Sequence, residues 1–273
     1  MQCGIMMGLE SSMLLKRARL IASIIMLLIA WELIAHLVVA IKNVPFPTVY
    51  ETAMRLLRLL SGEPLYGISI YRHLADSISR WILGFSLAVS LGIPLGILLG
   101  YSEVLWDLFM PIIYVIQTIP GPAWIAVALI FFGLGNAPAI FMIFMVVFHA
   151  VVITTASGAK SIGRKYVNAA KMFGADKFTI FFKVFLPAAT LPIISGLRIG
   201  LGNGWRVMVA AEMVSGAASG LGYSIIESRW SLDFPSAFVC MLLISAFGLF
   251  VQRVIFRHIE QRVMRRIGLT RAG

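Results

Sequence analysis

The chain has 273 residues, 60% of them hydrophobic and only 13% charged, with a formal charge of +11. Soluble domains carry roughly 25% charged residues, so this composition excludes an ordinary soluble domain and places the chain in the membrane class. Cys3 and Cys240 form neither a disulfide framework nor a metal spacing, and the basic excess lies between apolar runs, which favours membrane topology over a nucleic-acid partner.

A membrane-crossing helix needs about 20 mostly apolar residues. The first such run, Leu20 to Ile41, follows Lys16, Arg17 and Arg19. It is longer than the roughly 7–15-residue core of a signal peptide and no small-residue cleavage site follows, so it reads as a retained anchor. Glu32 and His36 lie four apart on one face, a spacing that suits a polar contact between helices better than a proton relay. The next stretch, Lys42 to Arg80, is too polar for the bilayer. Val49, Ala53, Leu56, Leu57 and Leu60 recur at helical spacing there, which predicts an amphipathic helix on the bundle or the interface.

Trp81 to Gly100 is an uncharged second span. The third, Leu108 to Leu134, contains Pro111, Pro120 and Pro122, and the "IPGPAW" stretch breaks it, because proline lacks an N–H and clashes with the preceding turn. Irregular backbone at membrane depth survives only when buried in protein or lining a cavity. Gln117, Thr118 and Trp124 are therefore pore or gate candidates, against the plainer alternative of a proline kink. Ala137 to Ser157 is the fourth span. The fifth, Pro187 to Ala211, holds Arg198, Asn203 and Arg206, with Glu212 just beyond. Gly196, Gly200 and Gly204 form a small-residue stripe for close helix approach. Arg198, Gly202, Asn203 and Arg206 lie on another face. Arginine in a span is costly and marks function; the two readings are a pathway lining and an internal ion pair, such as Arg206 with Glu212. Phe234 to Val251 is the sixth span. No internal repeat or linker interrupts the series, which makes an all-α membrane domain.

Fifteen of the 23 Lys and Arg fall in three places: before span one, between spans four and five, and after span six. Six spans put all three on one side, which the positive-inside rule makes cytoplasmic, with both termini there. On that side lies "NAAKMFGADKFTIFFKVFLP", Asn168 to Pro187. Tyr166 to Phe173 reads as a helix. Gly174 suits the left-handed position after it, and Asp176 can cap a second helix, "KFTIFFKVF". Phe178, Phe181 and Phe182 are expected to anchor that helix to the bundle. The alternative is an ordinary re-entry loop whose charges only obey topology.

This stretch resembles the signature of ABC-importer permeases, E-A-A-x(3)-G-x(9)-I-x-L-P. Here it runs Asn168-Ala169-Ala170, then Gly174, then Val184-Phe185-Leu186-Pro187, with Asn168 in place of the glutamate and Val184 in place of isoleucine. "HLADSISRWILGF", "GIPLGILLG", "QTIPGPAWIAVALIFFGLG", "LPAATLPIISGLRIGLGNGWRVMVAAEM" and "GLGYSI" are similar to the nitrate/sulfonate/taurine-type branch. The resemblance implies an all-α, type I ABC-importer permease fold. It would comprise an anchor and outer segment (1–72), a permease core (73–257) and a basic cytoplasmic tail (258–273).

The resemblance also implies that Asn168, Ala169, Ala170, Gly174, Ala175, Leu186 and Pro187 form the coupling loop, docked on a cytoplasmic ATPase. The implied partners are two ATPase copies, a second permease copy and an extracytoplasmic solute-binding protein, all on the inner or plasma membrane. The solute would be a nitrate-, sulfonate- or taurine-like anion or a related small organic molecule. "ASGAKS", Ala156 to Ser161, lacks the G-x(4)-G-K-[ST] spacing of a phosphate loop, so ATP would have to bind another polypeptide. No catalytic constellation, metal site or cofactor motif is expected; His149 beside "TASG", Thr155 to Gly158, makes no serine-protease arrangement. A secondary transporter would bring inverted repeats and paired midplane carboxylates, and the sequence carries neither.

Overall fold

The structure, a computed structural model, describes residues 2–162 and 164–266. Arg271 of the basic tail lies outside the described residues, as do the side chains of Cys3, Lys16, Arg17, Arg164, Lys165 and Lys177. Every regular element is helical among the described residues. Among the described residues, five helices are long and apolar enough to cross a membrane, and a bent pair, Glu103–Thr118 with Gly121–Phe132, brings the number to six if it is counted as one span.

Helix α1 (Gln2–Lys42) stands largely apart from the bundle. Its ties are local. The Trp31 indole N–H donates to the Pro47 carbonyl at 2.9 Å, and the Glu32 carboxylate accepts the Val49 backbone N–H at 2.9 Å. Glu32 is thus the polar contact between helices, at a helix N-terminus where an anion is favoured; His36 sits 3.4 Å from it. Helix α2 (Val49–Leu60) opens on a full capping box, with Thr48 accepting from the Glu51 N–H and Glu51 reaching back to the Thr48 N–H. The helix is where the periodicity places it, but its buried face is not. Thr52 and Leu59 are buried, whereas Ala53, Leu57 and Leu60 are exposed. The reason is Arg55, whose guanidinium reaches Glu63, Asp233 and the Ser236 hydroxyl and fixes how α2 sits on the last span. The expected apolar stripe is left facing outward, where a bilayer interface would cover it.

Helices α3 (Ile70–Tyr101) and α6 (Asn136–Lys160) form the centre with α9 (Leu186–Val214). Along α3, Gly84, Ala88, Gly92, Gly96 and Gly100 repeat every fourth residue. A Cβ on Gly84, Gly96 or Gly100 would come within 2.7 Å of Ile143, Thr155 or Ala159 on α6. The expected stripe on α9 meets an adjoining face of α6, with Gly204 against Val147 and Gly196 against Thr154. Small residues let helices approach closely where lipid offers no hydrophobic drive for association. Helix α6, gripped on two sides, is accordingly the most buried span.

The third span is broken. Helix α4 (Glu103–Thr118) ends before Pro120; a single 3₁₀ turn (Gly121–Trp124) follows, then α5 (Ile125–Phe132), at a bend of 100°. Pro111, inside α4, does not break it. Gly121 seats the break, because a Cβ there would run into Val207 of α9 and Val146 of α6.

Helix α7 (Arg164–Met172) and helix α8 (Lys177–Ile180) form a hairpin, and α8 runs through a π turn (Phe181–Phe185) straight into α9. Pro187 lies in the first turn of α9, where a missing N–H is tolerated. The apolar helical run Phe178–Val214 is 37 residues long, about 55 Å at the α-helical rise. That exceeds a hydrocarbon core of about 30 Å, so the helix carries the hairpin beyond the bilayer. Helices α10 (Leu221–Trp230) and α11 (Phe234–Phe250), a second π turn (Val251–Phe256) and α12 (Arg257–Arg266) complete the chain.

Candidate functional site

Three places concentrate chemistry, and all three touch the long rod that ends in α9. The first is the hairpin at its foot. Gly174 has φ of +77°, a left-handed conformation that side chains with a Cβ adopt at a steric cost. The Ala175 N–H donates to Ala170 O at 3.1 Å and the Gly174 N–H to Lys171 O at 2.9 Å. That pair of bonds is a Schellman cap. Asp176 then caps α8 by accepting the Thr179 N–H at 3.2 Å. Hydrogen bonds from the Thr179 side chain and backbone hold its carboxyl below the ordinary aspartate range. Asn168 and Ala169 are exposed, Ala170 and Ala175 half-buried. At the apex stand Met172 and Phe173, 88% and 91% exposed. Leu186 is half-buried and Pro187 exposed where the rod begins. The anchoring rings are not the expected set. Phe181 and the buried Phe185 pack on Tyr101 at 5.6 and 5.2 Å, while Phe178 and Phe182 stay exposed, because α8 turns that side away from α3.

The second place is a groove of about 400 Å³ halfway along the rod. Arg198, Gly202, Asn203 and Arg206 line one wall; Gln252, Arg253 and Phe256 of the second π turn line the other. The Arg206 guanidinium donates to Gly202 O at 3.2 Å and is exposed. Arg198 donates to Glu260 of α12 at 2.7 Å and lies 5.4 Å over the Phe256 ring.

The third place is at the far end of α9. Glu212 is fully buried and meets Arg80 of α3 at 2.5 Å, not Arg206. The two residues of the expected pair are about 9 Å apart along α9, with Arg206 on the groove face and Glu212 turned toward α3. Both members of the observed pair are multiply hydrogen-bonded. The Ser77 hydroxyl and the Gly222 N–H both donate to Glu212 at 2.9 Å. Arg80 also donates to Asn136 at 2.8 Å and to Ser219 at 3.2 Å, and Ser219 donates to Asp76 at 2.6 Å. His73 accepts the Gly220 N–H on Nδ1 at 3.0 Å, and its Nε2–H donates to Leu65 O at 3.0 Å. Gly220, at φ of +128°, brings the loop so close that a Cβ would collide with the Glu212 carboxylate. Sequence reasoning missed Arg80. The signal was there: His73, Ser77 and Arg80 lie at i, i+4 and i+7, on one face of the helix.

At the broken span, Gln117 and Thr118 are exposed, and the Thr118 hydroxyl donates back to Val115 O at 2.7 Å. Trp124 is half-buried against Phe141, its ring N–H buried without a partner. Among the described residues no group of three or more His, Cys, Asp or Glu could hold a metal ion.

Residues 92–265 match the model of the binding-protein-dependent transport system inner membrane component family. The chain belongs to this family. Among its relatives, a probable ABC transporter permease of Brucella melitensis biotype 1 is 36% identical over 81% of this chain and 87% of that one. The taurine transport system permease protein TauC of Escherichia coli K12 is 32% identical over 83% and 82%. The nitrate import permease protein NrtB of Synechocystis is 35% identical over 69% and 67%. The fold matches the inward-facing MetNI methionine ABC transporter at a TM-score of 0.61 and 17% identity, over 74% of this chain and 96% of that chain. The chain is thus a multi-pass ABC-importer permease of the inner membrane, with the fold of that class, and its part in the importer is transport rather than catalysis. An ion-gradient-driven carrier is not favoured.

Proposed function

We propose that this permease pairs with a second copy of itself, and that the pair docks on two ATPase subunits through the α7–α8 hairpin. A solute-binding protein would deliver a small anion at the opposite end. The observation that carries the coupling role is the apolar apex, Met172 and Phe173, set by a Schellman turn at the foot of a continuous helix. An apolar knob held clear of the bilayer is a surface that another protein covers. The basic residues on the hairpin side support a cytoplasmic position for it, with both termini there and residues 42–80 outside.

The pathway in this reading runs past Gln117, Thr118 and Trp124 at the broken span and along Arg198, Asn203 and Arg206. Glu212 acts on it only indirectly, through its pairing with Arg80. Arginines turned to lipid are costly at roughly 2.5–3.5 kcal/mol each, so the groove face calls for water and a second protein across from it. Taurine, nitrate and bicarbonate are the solutes in the names of relatives, and each carries a small oxyanion or acid group. Such a solute suits a wall of guanidinium groups.

The deciding experiment is Gly174→Val, with Ala170→Trp beside it. A β-branched residue at φ of +77° meets a steric cost of about 1–2 kcal/mol. Insertion into the membrane should remain normal, while the ATPase dissociates or hydrolyses ATP without import. Wild-type import, hydrolysis and ATPase pull-down in both variants would reduce the hairpin to a connection. Orientation is checked separately by single cysteines at Ser61 and Met172 in a chain lacking Cys3 and Cys240. In intact cells an impermeant reagent should label only the cysteine at Ser61.

A further inference from the structure

We propose that Glu260 of α12 is a built-in counter-ion that expels a small oxyanion from the groove, competing with it for Arg198. The inference rests on the pathway reading above and gives the groove a direction. Three arginines face the groove, Arg198, Arg206 and Arg253. Among the described residues, Arg198 alone of the three has a carboxylate partner. Glu260 is the single acid in a helix whose sequence is "RHIEQRVMRR". Arg198 and Arg206 lie eight residues apart on α9, about 12 Å along the helix, with Asn203 between them and Gln252 and Arg253 opposite. The groove therefore offers an anion two successive stations. At the Arg206 station the guanidinium meets no carboxylate among the described residues. At the Arg198 station one is already seated at 2.7 Å.

A pathway must bind its solute well enough to admit it and weakly enough to let it go. Three unopposed arginines would retain an oxyanion. A tethered carboxylate at the inner station weakens the hold where release has to occur, and keeps Arg198 occupied after the solute leaves. The geometry separates this role from that of a simple tie. Helix α12 is already docked through its own Val263 and through buried Phe256 in the π turn just before it, both packed on the central cluster. The ion pair stays within reach of water, with Arg198 57% and Glu260 24% exposed, so it opens at little cost. Arg198 keeps its place over the Phe256 ring when the pair is open. The joint between α11 and α12 is a π turn, a feature that recurs at functional sites.

The test measures binding of radiolabelled methanesulfonate, a minimal oxyanion, to the assembled importer in nanodiscs of uncharged lipid. Glu260→Gln should tighten binding about two- to fivefold, the range an exposed ion pair commands. Glu260→Asp should restore the weaker wild-type value, and Arg206→Ala should weaken binding in either background. Thermal unfolding is followed in parallel. A Glu260→Gln protein that loses thermal stability but binds as wild type, while Arg206→Ala still weakens binding, overturns the release role and leaves the groove standing. Unchanged binding in both Arg206→Ala and Arg253→Ala overturns the groove as an anion path, and the release role with it.

Discussion

The two charged regions on α9 are opposites. At the far end, Glu212 is fully buried and meets Arg80, Ser77 and the Gly222 N–H, and each of those partners is fixed in turn. Halfway down, Arg206 and Arg253 stand open on a groove, and Arg198 shares one exposed carboxylate. The same chemistry in one helix serves two ends. A fully satisfied buried pair clasps α3, α9 and the Gly220 loop into one unit. In the proposed reading, the open arginines serve the solute pathway. Alongside the groove residues runs the glycine face of α9, packed on α6.

The comparison breaks most visibly at the clasp. Arg80→Ala strands the buried Glu212 and should cost about 3–5 kcal/mol, read as lost folded complex and a lowered unfolding temperature. Replacing both partners with methionine should recover much of that yield, because an apolar pair of similar volume avoids the desolvation cost. Ser77→Ala removes one donor to the carboxylate and one acceptor for the Leu221 N–H. It should cost about 1–3 kcal/mol, measured the same way. Arg206→Ala lies at the other extreme. Stability should stay within about 0.5 kcal/mol of wild type, while import per folded complex falls. If Arg206→Ala instead lowers yield and spares import, the groove is structural and the contrast between the two regions collapses. Asn168→Ala should be the mildest change, with import near wild type, since the hairpin already lacks the glutamate charge that the signature carries at that position.

Local features were legible in the chain because they depend on near neighbours. The Gly174 cap, the Asp176 cap, the break at Pro120 and the small-residue stripe of α9 each follow from residue type at a fixed spacing. The errors came where partners are distant in sequence. Helix α2 was legible as amphipathic, but its buried face depended on Arg55 reaching Asp233. The anchoring rings of α8 depended on where Tyr101 ends α3. One of the two readings of the span-five arginines paired Arg206 with Glu212 on the same helix, whereas the observed partner of Glu212 comes from 132 residues away.

Composition and periodicity by themselves determined that this chain is a bundle of membrane helices, and residue type at fixed spacing determined the helix–turn–helix at Gly174, whose importer-permease meaning came from its resemblance to a known signature. Both are decided by the solvent and by steric limits acting within a few residues. Only the tertiary structure decided which arginine is buried and which is open. A helix turns each residue by a fixed angle, but the direction of its faces is set by what packs against them. Here α6 claims the glycine face of α9, α3 claims Glu212, and Arg206 is left to the groove.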